Sequence, residues 1–151
     1  MKYLEFSGYI TANAWDLHCV GTRFPLTIVA CYYHFSRCSA MKNIIEIRSY
    51  QLKPGTGSEF HQLLHEKSLP LLAAAGIDVV LATTSLQTPD AYMLVRAYQS
   101  LADCEQSQQA FYASDAWQNG PRAAIVACIE SCNTMVIAAD ATLIENLRHQ
   151  P

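Results

Sequence analysis

Glu46, Arg48 and Tyr50 follow one another at intervals of two, and so do Tyr92, Arg96 and Tyr98 with Leu94 among them. An interval of two puts side chains on one face of an extended chain. Guanidinium groups hold anions, and phenols line walls and offer hydroxyls. Arg48 and Arg96 are therefore candidates to hold a negative charge, and Tyr50, Tyr92 and Tyr98 candidates to line a small-molecule cavity. Trp117 is a candidate plug or wall, with Arg122 within reach of the same cavity mouth. A plainer account competes: Glu46 and Arg48 form a structural ion pair at a dimer seam, and the tyrosines pack an interface.

His61 and His65 stand four apart, a spacing that can chelate a metal on a helix. A metal needs a third ligand, and no other cluster in the sequence supplies one. They are expected to be ordinary surface histidines, with no metal bound. There is no G-x-S-x-G, phosphate loop, dinucleotide fingerprint or H-E-x-x-H. No cofactor is expected.

Ile44–Leu52 alternates and is rich in β-formers, so it reads as a strand, which Lys53-Pro54-Gly55 ends. Thr56-Gly57-Ser58-Glu59 is a capping-box pattern. The helix it opens carries Phe60, Leu63, Leu64, Lys67 and Leu71 at helical spacing, should loosen at Pro70, and stops at Gly76. Strands follow at 77–85 and 91–98, joined by a hairpin at 87–90. Ser100 and Asp103 cap a second helix whose core residues are expected to be Leu101, Cys104, Gln108 and Phe111. A short turn at 114–117 and a helix begun by Pro121 precede a strand at 133–139. Asp140 caps a tail helix carrying Leu143, Ile144 and Leu147, within 141–151.

The order β-α-β-β-α-β predicts an α+β, ferredoxin-like domain over 42–140 with a four-stranded antiparallel sheet. Helices on one face leave the other open. On strands one and three, Ile45, Ile47, Met93, Val95 and Ala97 form an aliphatic set, expected under the helices. The mixed set of Glu46, Arg48, Tyr50, Tyr92, Leu94, Arg96 and Tyr98 is expected on the open face, buried by a second copy in a dimeric α/β barrel.

Of 151 residues, 51% are hydrophobic and 15% charged, which excludes a disordered chain. The net charge is −3 and there is no basic run, so neither nucleic acid nor an anionic membrane surface is an expected partner. The apolar stretch 26–33 is far short of the roughly 20 residues a membrane helix needs. None of the six cysteines forms a C-x-x-C pair, which suits a reducing compartment and a cytoplasmic location.

Residues 1–41 read as a leader. Up to residue 40 it has three basic residues (Lys2, Arg23, Arg37), two acidic (Glu5, Asp16) and no sustained periodicity. Phe24–Phe35 followed by Cys38-Ser39-Ala40 is a weak match to a signal peptide, and sparse arginine argues against a mitochondrial address. The preferred expectation is a natural start at Met41, with the leader a disordered extension or upstream sequence.

Glu46-Ile47-Arg48-Ser49-Tyr50-Gln51-Leu52-Lys53-Pro54-Gly55 resembles the opening signature of the NIPSNAP family, E-x-R-x-Y-x-x-x-P-G. Tyr98-Gln99-Ser100-Leu101 and Phe111-Tyr112-Ala113-Ser114-Asp115-Ala116-Trp117 are similar to later segments of that family. The resemblance spans residues 43–138. It implies a dimeric α/β barrel, relatives among small monooxygenases and stress-response barrel proteins, and no settled activity. Larger eukaryotic members carry two such domains and are linked to mitochondria and membrane trafficking; this chain has one.

Two functional expectations follow. One is a homodimeric binding module whose cavity takes a small, partly apolar or anionic molecule. The other is a small cofactor-independent monooxygenase or isomerase acting on an aromatic or polyketide-like substrate, with a Tyr or His moving the proton and Arg stabilising an enolate. Whether the protein is an enzyme is left open.

Overall fold

The computed structural model describes residues 41–149; the leader expected at the N-terminus lies outside them, apart from Met41. Four strands, β1 (Ile44–Leu52), β2 (Asp78–Thr84), β3 (Ala91–Tyr98) and β4 (Ile129–Ala138), form one antiparallel sheet in the order β2-β3-β1-β4. The helices are α1 (Gly57–Leu63), α2 (Leu69–Ala74), α3 (Leu101–Ala113), α4 (Asp115–Gln118), α5 (Arg122–Cys128) and α6 (Ala141–Arg148). This is the ferredoxin-like arrangement expected from the sequence.

Between α1 and α2 the backbone makes a π turn over Leu64–Ser68, where the Leu69 amide donates to the Leu64 carbonyl. Pro70 explains it. Proline has no amide to donate and its ring crowds the preceding turn, so the helix widens just ahead of it. The wider turn points both Leu64 and Ser68 inward.

The capping box at the start of α1 does not form. Thr56 instead donates its hydroxyl to the Lys53 and Cys128 carbonyls. The free amides of Gly55 and Gly57 bond to the Asp90 carboxylate at 2.8 and 2.9 Å, so the hairpin supplies the cap. Gly57 permits this approach, because a Cβ there would lie 2.0 Å from the Pro89 carbonyl oxygen. The fourth strand also starts earlier than expected, directly where α5 ends.

The two sheet faces are reversed relative to the sequence expectation. Tyr50, Tyr92, Leu94 and Tyr98 pack with Phe60, Leu64, Leu72, Phe111, Trp117 and Ile125 beneath the helices. Ile45, Val95 and Ala97, with Ile47 and Met93 beside them, lie on the far face against Ile144 and Leu147 of α6. The expectation assumed that a purely aliphatic set belongs under helices. Here the layer under the helices is partly hollow, and the polar groups bond to one another inside it.

Helix α6 covers the β2 side of the far face, and Arg148 pins it there through both Asp78 carboxylate oxygens at 2.7 Å. Its N-cap is Asp140, as expected, accepting from the Leu143 amide. The β4 side of that face is bare: Met135 is 63% exposed and Ile137 38%. These two stand opposite Ile47 and Ile45 in the β1–β4 register.

Candidate functional site

Strand β1 is central in the sheet, so Glu46, Arg48 and Tyr50 project from a backbone paired on both sides. Arg96 stands opposite Glu46 on β3, and Leu94 opposite Arg48. Above them lies a cavity of about 320 Å³, near the lower end for small-molecule sites. Arg48, Tyr50, Leu94 and Arg96 form its floor. Phe60, Leu64, Ser68 and Leu72 wall one side, Phe111, Tyr112 and Trp117 the other, and Gln118 and Arg122 stand at the rim.

Glu46 is the anchor of the floor. Its Oε2 accepts from Arg96 Nε at 2.8 Å and Nη2 at 2.6 Å, and its Oε1 from Arg48 Nε at 3.2 Å and Gln108 Nε2 at 3.1 Å. A carboxylate offers about four acceptor positions, and all four are filled. Arg96 is fully buried, a position a charge tolerates only when paired. Burial disfavours the charges on both arginines, but Tyr112 and Glu46, with Tyr50 beside Arg48 and Tyr98 beside Arg96, more than offset it. Both guanidiniums are held above their ordinary pKa. One carboxylate between two guanidiniums leaves a surplus positive charge under the cavity.

The two forks meet again at Tyr112. Its hydroxyl accepts from Arg48 Nη1 at 2.8 Å and from Arg96 Nη1 at 3.3 Å. Arg96 thus has all three of its nitrogens engaged. The Tyr50 phenol stands beside the Arg48 guanidinium, whose Nη2 makes no other contact of hydrogen-bond geometry among the described residues, and the Arg48 side chain keeps 23% of its exposure. Arg48 is the guanidinium a ligand can reach, and Arg96 holds it in place.

The residues singled out from the sequence therefore separate. Arg48, Tyr50, Arg96 and Trp117 border the cavity, under the helices and not on the open face where the first three were expected. Tyr98 lies below it, with the Arg96 guanidinium 5.9 Å from its ring centre, and its buried hydroxyl has no partner among the described residues. Tyr92 points to the start of the helical layer, where its hydroxyl meets His61 Nδ1 at 3.2 Å and His65 Nε2 at 3.1 Å. Burial pushes the Tyr92 phenol up to about 12. Burial, with His61 adjacent, lowers the pKa of His65. No group of three His, Cys, Asp or Glu capable of holding a metal occurs among the described residues.

Tyr112, Ser68 and Gln118 are the polar cavity residues that sequence reasoning missed. A signal for Tyr112 was present: Cys104, Gln108 and Tyr112 recur every four residues on α3 and so share a face. Gln108 donates to Glu46 and Tyr112 takes both arginines. Ser68 reaches the cavity through the π turn, which has no pattern of its own beyond Pro70.

A ferredoxin-like domain with a polar-floored hollow between sheet and helices defines the class. The profile of the NIPSNAP family matches residues 45–140, and the chain belongs to that family. No curated protein matches the chain in sequence. Among solved structures, it is similar to a NIPSNAP family protein from Agrobacterium tumefaciens, with 20% identity over 63% of this chain and 90% of that one and a TM-score of 0.59. A NIPSNAP domain protein from Burkholderia xenovorans is 18% identical over 65% and 95%, also at 0.59. A candidate antibiotic biosynthesis monooxygenase from Nitrosomonas europaea is 12% identical over 64% and 97%, at 0.51. At these identities the likeness establishes the fold. No helix of the described residues is long and apolar enough to cross a membrane.

Proposed function

We propose that the protein is a homodimeric binding module whose subunit cavity takes a small, partly apolar, anionic molecule. The observation that carries this is the pair of guanidiniums sharing one carboxylate beneath an otherwise aromatic and aliphatic hollow. A surplus buried cation attracts an anion strongly, because the surroundings screen it poorly.

The cavity composition favours binding over proton-transfer catalysis. Glu46 has no acceptor position left for a substrate proton. Tyr50 is pushed up to about 12 by burial, against the pull of Arg48, far from the value a base needs near neutrality. The histidines at Tyr92 do not border the cavity. The oxygenase or isomerase reading then requires a substrate that arrives already ionised.

Homodimerisation is proposed from the bare far face, where Met135 and Ile137 continue the aliphatic set of Ile45 and Ile47. Two such faces packed together would remove that surface from water.

A thermal-shift screen of small aromatic and branched carboxylates on the full chain tests the cavity. A ligand that binds only the folded state raises the midpoint in proportion to the logarithm of its concentration over Kd. Stabilising hits should lose their effect in Arg48→Met. Hits that persist unchanged in that variant would overturn the reading.

A further inference from the structure

We propose that Tyr112 is a donor-locked hydroxyl, and that with Arg48 Nη2 it selects a ligand carrying an oxyanion or carbonyl acceptor on a planar carbon, with a carboxylate or enolate preferred. The inference deepens the cavity reading above and rests on it.

A phenol has one hydrogen to donate and lone pairs with which to accept. The Tyr112 oxygen already accepts two guanidinium N–H groups, from Arg48 at 2.8 Å and Arg96 at 3.3 Å. An arginine has no lone pair to offer in return, so neither neighbour can take the phenolic hydrogen. The Tyr112 hydroxyl donates no hydrogen bond among the described residues, and Tyr112 lines the cavity. Glu46, the nearest carboxylate, is filled by four other donors. The hydrogen is left for whatever occupies the hollow. The second free donor is Arg48 Nη2, on the same guanidinium whose Nη1 bonds Tyr112. Two donors fixed side by side, with the Tyr50 and Ser68 hydroxyls free to turn toward or away from the occupant, suit a planar, two-oxygen head group.

The consequence is a ranking by hydrogen-bond polarity that net charge alone does not give. A carboxylate engages both donors. A ketone engages Tyr112 without a charge. A hydrocarbon engages neither, and an ammonium meets two donors and a surplus cation. Arg96 is a positioning residue here, since its nitrogens are taken by Glu46 and Tyr112.

The test is isothermal titration of the full chain with four naphthalenes that share a ring system: 2-naphthoate, 2-acetylnaphthalene, 2-ethylnaphthalene and 2-naphthylmethylammonium. The expected order of affinity is as written, with carboxylate over hydrocarbon by about tenfold or more, as for a charge-assisted hydrogen bond. Tyr112→Phe should remove the advantage of ketone over hydrocarbon, and Arg48→Met the advantage of carboxylate over ketone. The wild-type ranking stands by itself if either variant fails to fold. If the hydrocarbon binds as tightly as the carboxylate and the ketone, the cavity stands and the donor lock is wrong. If none of the four binds, the cavity reading itself falls, and the lock with it.

Discussion

The two faces of this sheet are built from the same strands yet solve different problems. Beneath the helices, aromatic and charged side chains enclose a hollow and satisfy one another around Glu46. On the far face, aliphatic side chains lie flat, and α6 covers only the β2 half. The polar face is the interior one because its charges are paired there and need no water. The apolar face is the outward one, partly covered by α6 and otherwise bare at Met135 and Ile137. Polarity by itself therefore does not say which side of a two-layer domain faces solvent.

The largest effect should come from breaking the interior network. Glu46→Ala leaves the Arg96 guanidinium fully buried without its carboxylate, and should cost about 3–5 kcal/mol of subunit stability in urea unfolding. A loss under 1 kcal/mol would show that the network contributes little to holding the layers together. On the far face, Met135→Asp should act on assembly. Light scattering should report a dimer for the wild type at micromolar concentration and a folded monomer for the variant, with unchanged far-ultraviolet circular dichroism. A stable wild-type monomer would remove the proposed dimer and leave the cavity untouched.

Arg48→Met sits between these, since its side chain is partly exposed and Glu46 keeps Arg96 and Gln108. It should weaken carboxylate binding by about tenfold or more while lowering stability less than Glu46→Ala. Equal losses from the two variants would mean that both residues are structural. The smallest effect concerns the histidines on Tyr92. The folded pKa of His65 lies below its unfolded value, so the stability it contributes is present above about pH 6.5 and declines as pH falls toward its folded pKa. Melting temperatures between about pH 7.5 and 5.5 should drop less steeply in His65→Gln than in the wild type. A parallel pair of curves would refute the coupling.

Much of the fold was legible. β1 and β3 begin and end where alternation and turn residues put them, and the loosening at Pro70 becomes a π turn. Membership of the ion cluster was legible in part, because an interval of two must bring Glu46 and Arg48 to one face of β1, and Arg96 joins them through its place opposite Glu46 on β3. Which face that would be was not, since strand periodicity separates two sets without saying where each points. The start of α1 misled for a related reason: Thr56 and Glu59 have the right local spacing, but Asp90, 33 residues from Gly57 in sequence, outcompetes them for the free amides. The spacing of Cys104, Gln108 and Tyr112 puts them on one face of α3, but the pairing of both arginines with Tyr112 depends on how α3 crosses the sheet, a packing angle that no local pattern encodes.

The central place of β1 has a consequence for synthesis. Its second edge is closed by β4, the last strand, so Ile44 must wait for Ala138. At roughly 5–20 residues per second, a ribosome leaves the first three strands without the fourth for seconds. Throughout that interval β1 presents an open edge beside the apolar Ile45 and Ile47, a template for pairing with a neighbouring chain. Products that stop short of residue 129 retain that edge for good and should collect in aggregates, so the family signature on β1 is also the segment most dependent on the chain being finished.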